Sequence, residues 1–184
     1  ARGLVGRWGK ISVGLGHATS FRGSDTLMAI PAARYYYGES ENEVCINSVN
    51  ASEHSVSTTK IFTCGEKQMI IDWLKEFPTG TLSIVADTFD LWKLILEYLQ
   101  DPEVKALIMA RDGKLVIRPD SGDPVDIICG RDSAGCASDE CKDLPVCKGV
   151  IELLWDIFGG TTNEQGYRVL DSHIGAIYGD SITL

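Results

Sequence analysis

The fold of this chain is decided by the stretch Leu115-Val116-Ile117-Arg118-Pro119-Asp120-Ser121-Gly122-Asp123-Pro124. Its apolar, β-branched beginning predicts a short strand buried on both faces, as in a parallel sheet. The prolines and the glycine that follow turn the chain out of the strand. Charged groups at the carboxyl end of a buried strand are where α/β enzymes place their chemistry. The alternative is a solvated turn with incidental charges.

The same pattern recurs along the chain. Three further predicted strands, at 44–46, 82–86 and 174–178, are each followed by polar residues, at 48–54, 87–90 and 179–180. A predicted helix lies between each pair of consecutive strands, at 69–77, 89–99 and 150–158. This order predicts an α/β fold with parallel strands alternating with helices and right-handed crossovers. A barrel sheet fits best, and because a closed barrel typically needs about 250 residues, we expect part of one.

The remaining segments are less regular. For residues 1–23 we predict a loop and one helix. For residues 27–37 we predict a helix with its N-cap at 24–26, a kink at Pro31 and its end at Gly38. Residues 104–109 fit helix or strand, and we expect 126–148 to be an irregular insertion with helical parts. We interpret residues 1–184 as a single partial barrel domain. Since the chain starts at Ala1 and stops where a helix would follow a strand, we expect a segment of a longer protein.

Composition narrows the classes of partner. The chain is 44% hydrophobic with a net charge of -9, which is ordinary globular composition and unfavourable for general nucleic-acid binding. The sequence contains neither a bilayer-spanning stretch nor a signal-peptide pattern, so we expect no membrane association. Four of the six cysteines, Cys129, Cys136, Cys141 and Cys147, lack zinc-site spacing. We expect free thiols and a cytoplasmic location, with a local disulfide as the alternative, and assign no residue as a metal ligand.

The predicted rim of strand ends carries a histidine and several carboxylates. His54 follows the first strand, and Asp87 follows the next one. A carboxylate beside an imidazole fixes its tautomer and stabilises its cation or a modified form. The alternative is an exposed loop histidine without a role.

Two more pairs on this rim suggest binding groups. Arg118 and Asp120 are two residues apart, so their side chains leave the same face, where Arg can donate to a carbonyl and Asp can accept from N–H or O–H. The alternative is a mutual ion pair that merely ends the strand. Gly179-Asp180 is typical of a diol-binding end, because glycine lets the backbone approach and the carboxylate accepts from hydroxyls.

With these residues in place, the chain resembles the nicotinamide phosphoribosyltransferases. The matching pieces occur in the family's order and cover most of the chain; they are residues 21–26, 48–55, 83–90, 117–124 and 166–180. The resemblance implies transfer of phosphoribose from phosphoribosyl pyrophosphate to nicotinamide, which gives nicotinamide mononucleotide and pyrophosphate for NAD salvage.

The resemblance also implies residue roles. His54 falls on the histidine that the family phosphorylates with ATP, and Asp87 on its carboxylate partner. Asp25 and Arg118 fall on groups that hold the carboxamide. The remaining expected substrate-binding residues are Arg2 at a phosphate, Asp120, Gly179 and Asp180 at the ribose, and Ser48 and Ser83 within the matching pieces.

Mg²⁺ with the pyrophosphate, ATP as a stimulating co-substrate and a homodimer are implied in the same way. An aromatic residue before Arg2 and a downstream glycine-rich phosphate loop are expected in the family but do not occur in this sequence. We therefore expect the 184-residue segment alone to be inactive.

Other functions stay open at this point. Nicotinate could replace nicotinamide as the acceptor, although Asp25 would repel its carboxylate. A metal-dependent hydrolase on a barrel would need a cluster of His and Asp ligands, and this rim has one histidine. The third alternative is a non-catalytic binding module that keeps the fold.

Overall fold

A computed structural model describes residues 6–43, 46–131 and 143–179. The chain divides into two compact units, Ala1–Val49 and Asn50–Leu184. Among the described residues, no helix combines the length and the apolar character needed to cross a membrane. The interpretation of one partial barrel domain stays a prediction.

The first unit contains two helices, α1 (Gly6–Ala18) and α2 (Ala29–Tyr37). They share a small apolar core formed by Ile11, Leu15, Ala32 and Ala33. Helix α2 ends at Gly38, which adopts the left-handed conformation, as predicted. Its N-cap is Met28 without a side-chain hydrogen bond, so the predicted cap at 24–26 is wrong. Pro31 lies in the first turn, where its missing N–H costs nothing, so the physical reason for a kink does not apply.

The second unit is built on a parallel sheet with the strand order β1-β2-β3-β6. These strands are β1 (Asn50–Ala51), β2 (Thr79–Val85), β3 (Asp112–Arg118) and β6 (Ile174–Ala176). The parallel α/β prediction is confirmed, while closure into a barrel stays a prediction. Strand β1 lies in the stretch expected to follow a strand at 44–46. Residues 44–45 lie outside the described part of the chain.

Helices precede or follow these strands. They are α3 (His54–Cys64), α4 (Glu66–Glu76), α5 (Leu91–Lys93) continued by a π-helical turn (Leu94–Tyr98), α6 (Pro102–Met109), α7 (Pro124–Cys129) and α8 (Pro145–Phe158). Helix α6 resolves the ambiguous segment at 104–109. An antiparallel hairpin of β4 (Gly160–Thr162) and β5 (Arg168–Leu170) was not predicted. The middle of the expected insertion, residues 132–142, lies outside the described residues.

The two faces of the parallel sheet differ in chemistry. Residues paired across neighbouring strands share a face, and side chains alternate along each strand. One face carries large aliphatic side chains that join the helices in the main core: Leu82, Ile84, Leu115, Ile117 and Ile174. The other face carries Ser83, Val85, Val116, Arg118 and Gly175 in the alternate positions. Ser83, Arg118 and Gly175 are small or polar, unlike the residues of the first face, and this second face leads to the carboxyl ends of the strands.

Candidate active site at the carboxyl ends of the strands

The strand ends bring His54, Asp87 and Asp120 together. Asp87 lies two residues after β2, Asp120 lies two residues after β3, and His54 is the first residue of α3. The Ala86 N–H donates to the Arg118 carbonyl at 3.0 Å, which continues the pairing of β2 and β3 to the rim. Parallel register thus carries the two aspartates to the same edge of the sheet.

The Asp87 carboxylate has two different oxygens. Oδ2 accepts hydrogen bonds from the Asp120 N–H at 2.8 Å and from the Ser121 hydroxyl at 2.5 Å. Oδ1 is buried and has no hydrogen-bond partner among the described residues. It lies 3.8 Å from His54 Nε2, and the Asp87 side chain is only 9% exposed. The carboxylate is therefore held through one oxygen and directed at the imidazole through the other.

The His54 imidazole lies between two carboxylates and a hydroxyl. Nε2 is 3.6 Å from Asp120 Oδ2, on the same side as Asp87, and Nδ1 is 3.3 Å from Thr88 Oγ1. Two anions near Nε2 favour a proton on that nitrogen, so Nδ1 accepts from Thr88 in the neutral ring. The imidazole is 45% exposed, so a reactant can reach it.

Arg118 is held by the end of the neighbouring strand. Its Nη2 donates to the Ser52 carbonyl at 2.8 Å, while its Nε is buried without a partner among the described residues. Ser52 itself is bound to β2, because its hydroxyl accepts from the Val85 N–H at 2.8 Å and its N–H donates to the Ser83 carbonyl at 2.9 Å. The guanidinium is thereby positioned at the rim with a donor left over for a ligand.

Asp120 is positioned by the close approach of the β6 end. An ideal Cβ on Gly179 would lie 2.2 Å from Asp120 Oδ1, so only glycine leaves room for this carboxylate. Arg118 and Asp120, both within the described residues, make no ion pair with each other. The alternative of a mutual ion pair that merely ends the strand is therefore wrong.

Three buried polar atoms on this part of the sheet lack hydrogen-bond partners among the described residues. They are Ser83 Oγ, Asp87 Oδ1 and Arg118 Nε. Buried polar groups are normally paired, and unpaired ones call for an explanation such as a bound group. Their clustering on two neighbouring strands indicates a site for a polar ligand.

The remaining expected site residues lie in the first unit or outside the described residues. In the first unit, the Ser48 hydroxyl donates to Asp25 Oδ1. Arg2 and Asp180 lie outside the described residues. Within the described residues no group of three or more His, Cys, Asp or Glu side chains could hold a metal ion. Cys64 and Cys129 carry free thiols, whereas Cys136 and Cys141 are not among the described residues.

Sequence reasoning missed Ser52, Thr88 and Ser121. Thr88 and Ser121 directly follow Asp87 and Asp120, so adjacency to the aspartates was the available signal. Ser52 acts through its backbone carbonyl on Arg118. A hydrogen bond to a backbone carbonyl does not depend on the residue type, so the sequence gives no signal for it.

A family model described as the nicotinate phosphoribosyltransferase (NAPRTase) family matches residues 2–184. The chain belongs to this family. The resemblance to nicotinamide phosphoribosyltransferases is also confirmed by relatives of that name. The protein from Acinetobacter baylyi is 42% identical over 195 residues, which cover 100% of this chain and 36% of the relative.

Two further relatives carry the same name. The nicotinamide phosphoribosyltransferase of Mycoplasma pneumoniae is 35% identical across 99% of this chain and 36% of its own length. That of Xanthomonas campestris pv. campestris is 30% identical across 99% of this chain and 34% of its own length. The chain thus spans about a third of the length of these relatives.

Proposed function

We propose that a full-length protein carrying this chain transfers phosphoribose from phosphoribosyl pyrophosphate to nicotinamide, forming nicotinamide mononucleotide and pyrophosphate. The observation that carries the proposal is the placement of His54 between Asp87 and Asp120, at the same edge of the sheet as Arg118 with its unpaired donor. Membership of the family and the names of the relatives support the same reaction.

The carboxylates suit the charge that develops in this reaction. The pyridine nitrogen of nicotinamide attacks C1 of the ribose, the bond from C1 to the pyrophosphate oxygen breaks, and pyrophosphate leaves with the electron pair. Positive charge of the oxocarbenium type builds up on the ribose, as in glycoside cleavage. Asp120, with a 26% exposed side chain, can face this charge, and Asp180 is proposed to bind the ribose hydroxyls with Gly179.

The carboxamide needs both a donor and an acceptor. Arg118 donates to the carboxamide oxygen in this proposal, and Asp25 accepts from its NH2 group. Ser48 and Ser83 add hydroxyls to the same substrate, and the buried Ser83 Oγ has no partner among the described residues. Arg2 is proposed to bind a phosphate.

His54 is proposed to couple ATP to the transfer. The unprotonated ring nitrogen of His54 attacks the terminal phosphorus of ATP, the P–O bond to ADP breaks, and ADP leaves with the electron pair. Asp87 Oδ1 faces the ring, so it stabilises the more positive character of the modified imidazole.

Mg²⁺ is proposed to accompany pyrophosphate rather than to occupy a site made of protein ligands alone. No such group of ligands occurs among the described residues. Mg²⁺ usually keeps several waters and binds through one or two carboxylates plus substrate phosphates. The half-buried carboxylate of Asp120 fits that role, and a bound Mg²⁺ would supply neutralisation of the leaving group.

Nicotinate is the second candidate acceptor, because the family model carries its name. The carboxylate of nicotinate would meet the Asp25 carboxylate, and like charges disfavour such a pair. Nicotinamide is therefore the preferred acceptor in this proposal.

We also propose a homodimer and a cytoplasmic location for the full-length protein. The dimer is supported by the family resemblance. The location is supported by the free thiols of Cys64 and Cys129, which are typical of a reducing compartment.

The test of the proposed function is His54→Ala in the full-length protein, with nicotinamide mononucleotide formation followed in the presence and absence of ATP. We expect the stimulation by ATP to disappear while a slow, ATP-independent transfer remains. The matched control is His173→Ala, because His173 lies at the amino end of β6 and pairs with Asp171 at 2.6 Å. A His54→Ala protein that ATP still stimulates fully would contradict the role of His54.

A further inference from the structure

We propose that Ser121 is a positioning residue: its hydroxyl holds the Asp87 carboxylate in the orientation that directs Oδ1 at His54. This inference rests on the proposed function, because the orientation matters for catalysis only if His54 is the ATP-dependent group. The orientation itself can be measured without any turnover.

Of the two donors to Asp87 Oδ2, one is a backbone group and the other is a side chain. The Asp120 N–H is a backbone group that any residue other than proline would provide. The Ser121 hydroxyl is the only side-chain donor to this carboxylate among the described residues. A carboxylate rotates about its terminal torsion in a broad energy well, so a single donor leaves the plane of the group loosely defined. The second donor narrows this torsion and keeps the free oxygen directed at the imidazole.

The loop that carries Ser121 is fixed on both sides. Pro119 is buried before it, and the Gly122 carbonyl accepts from the Tyr178 hydroxyl at 2.8 Å after it. Asp123 then caps α7 by accepting from the N–H groups of Val125 and Asp126. The hydroxyl of Ser121 therefore reaches Asp87 from a backbone that is held by other contacts.

Because Asp87 is nearly buried beside His54, the orientation of its carboxylate affects the imidazole. Its side chain is 9% exposed, and Oδ1 has no hydrogen-bond partner among the described residues. No second protein donor among the described residues holds Oδ1, so a carboxylate that turns away from the ring weakens the electrostatic support of Nε2. The exposed Ser121 thus controls a buried charge from the surface of the molecule.

The experiment compares three variants of the full-length protein. Ser121→Ala removes the hydroxyl, and Ser121→Thr keeps it. Asp123→Ala weakens the same loop through its helix cap without touching Asp87. For each protein, kcat and the KM for nicotinamide are measured with ATP, and the ¹⁵N spectrum of the His54 ring is recorded without substrates.

For Ser121→Ala we expect kcat with ATP to fall roughly tenfold or more, since hydrogen bonds to charged groups are the stronger ones. The KM for nicotinamide should stay within about twofold, because Arg118 is untouched. The neutral His54 ring should shift part of its population from the Nε2–H to the Nδ1–H tautomer. Ser121→Thr should retain the wild-type tautomer and most of the rate, and Asp123→Ala should leave the tautomer unchanged.

The outcomes separate the two proposals. An unchanged tautomer in Ser121→Ala overturns the positioning role, and so does an equal tautomer shift in Asp123→Ala, which would assign the effect to the loop as a whole. A wild-type protein that forms no nicotinamide mononucleotide refutes the proposed function, while the ¹⁵N spectra still decide whether Ser121 orients Asp87.

Discussion

At the scale of single residues, Gly179 determines where Asp120 can lie. The ideal Cβ position at Gly179 is 2.2 Å from Asp120 Oδ1 and 3.4 Å from Arg118 Cδ. The atom in the way is the end of a side chain, so an added methyl group would push the carboxylate aside and leave the backbone in place. The site is therefore more sensitive to this position than the fold is.

We expect Gly179→Ala to lower the kcat/KM for nicotinamide mononucleotide formation by about tenfold or more, because a misplaced group loses orientation. The free energy of unfolding should change by less than about 0.5 kcal/mol, as is usual for exposed positions. Gly16→Ala is the matched control, since a Cβ there meets no atom within 4 Å. Equal activity in the two variants would show that Asp120 tolerates displacement.

Asp25 provides the second prediction at this scale. Asp25→Ser in the full-length protein should lower kcat/KM for nicotinamide tenfold or more, because a hydrogen bond to a charged group contributes roughly 1.5–3 kcal/mol. Use of nicotinate should improve, since the repelling charge is gone. Competition assays with both acceptors measure the ratio, and Asp112→Ser, at the exposed amino end of β3, serves as the control. An unchanged ratio would exclude Asp25 from the carboxamide pocket.

Residues at strand ends were predictable, whereas their supports were not. His54, Asp87, Arg118 and Asp120 could be placed on one rim because an apolar strand followed by charged residues is a strong pattern. Ser121 and Thr88 owe their roles to distances of a few ångströms between loops far apart in sequence. Such distances depend on register, and the sequence alone does not reveal them.

At the scale of elements, helix α4 begins with a buried acid. Glu66 is 8% exposed, and its Oε1 has no hydrogen-bond partner among the described residues. Burial raises the pKa of Glu66 above its ordinary value of 4.5, and attraction by Lys93 offsets this only in part. The folded protein therefore binds this proton more readily than the unfolded chain does.

Because its pKa is raised on folding, Glu66 lowers stability above the raised pKa, and this cost is lost as the pH falls from there to 4.5. We expect Glu66→Gln to raise the free energy of unfolding at pH 7 and to leave it nearly unchanged at pH 4. Urea unfolding at a series of pH values measures the difference. A variant whose stability follows the wild-type pH curve would contradict the assignment.

Helices with a clear apolar face were predicted well, and short or unusual elements were not. The prediction for 69–77 corresponds to α4, where Met69, Ile70, Trp73 and Leu74 are buried. Helix α3 escaped prediction because only Ser57 is fully covered, so the segment lacks an apolar stripe. In the segment predicted as a helix over 89–99, Phe89 is exposed, because the helix begins at Leu91 and widens into a π-helical turn. The two-residue strand β1 is defined by its pairing with β2, and its amino acid composition does not indicate a strand.

At the scale of the whole molecule, we expect one face of the parallel sheet to contribute mainly to stability and the other to the proposed substrate binding. Ile117 is fully buried against the helices, and its neighbour Val116 lies on the opposite face with Ser83 and Gly175. Ile117→Ala should cost about 2–5 kcal/mol of unfolding free energy. Val116→Ala should cost about 1 kcal/mol and should instead change the KM for substrate. Denaturant unfolding and steady-state kinetics on both variants check the separation, and equal losses of stability would refute it.

During synthesis, which proceeds from the amino end, the partners of the hydrogen bonds at the rim are translated at different times. His54 leaves the ribosome before any of its orienting groups, since Asp120 and Ser121 follow Asp87 by 33 and 34 residues and Arg118 follows Ser52 by 66. At about 5–20 residues per second, the last interval takes roughly 3–13 s. A nascent chain that ends before Asp120 therefore carries the histidine without its oriented carboxylate. The ring that we propose to accept the phosphoryl group therefore gains its oriented carboxylate only after β1, β2 and β3 have been translated and aligned.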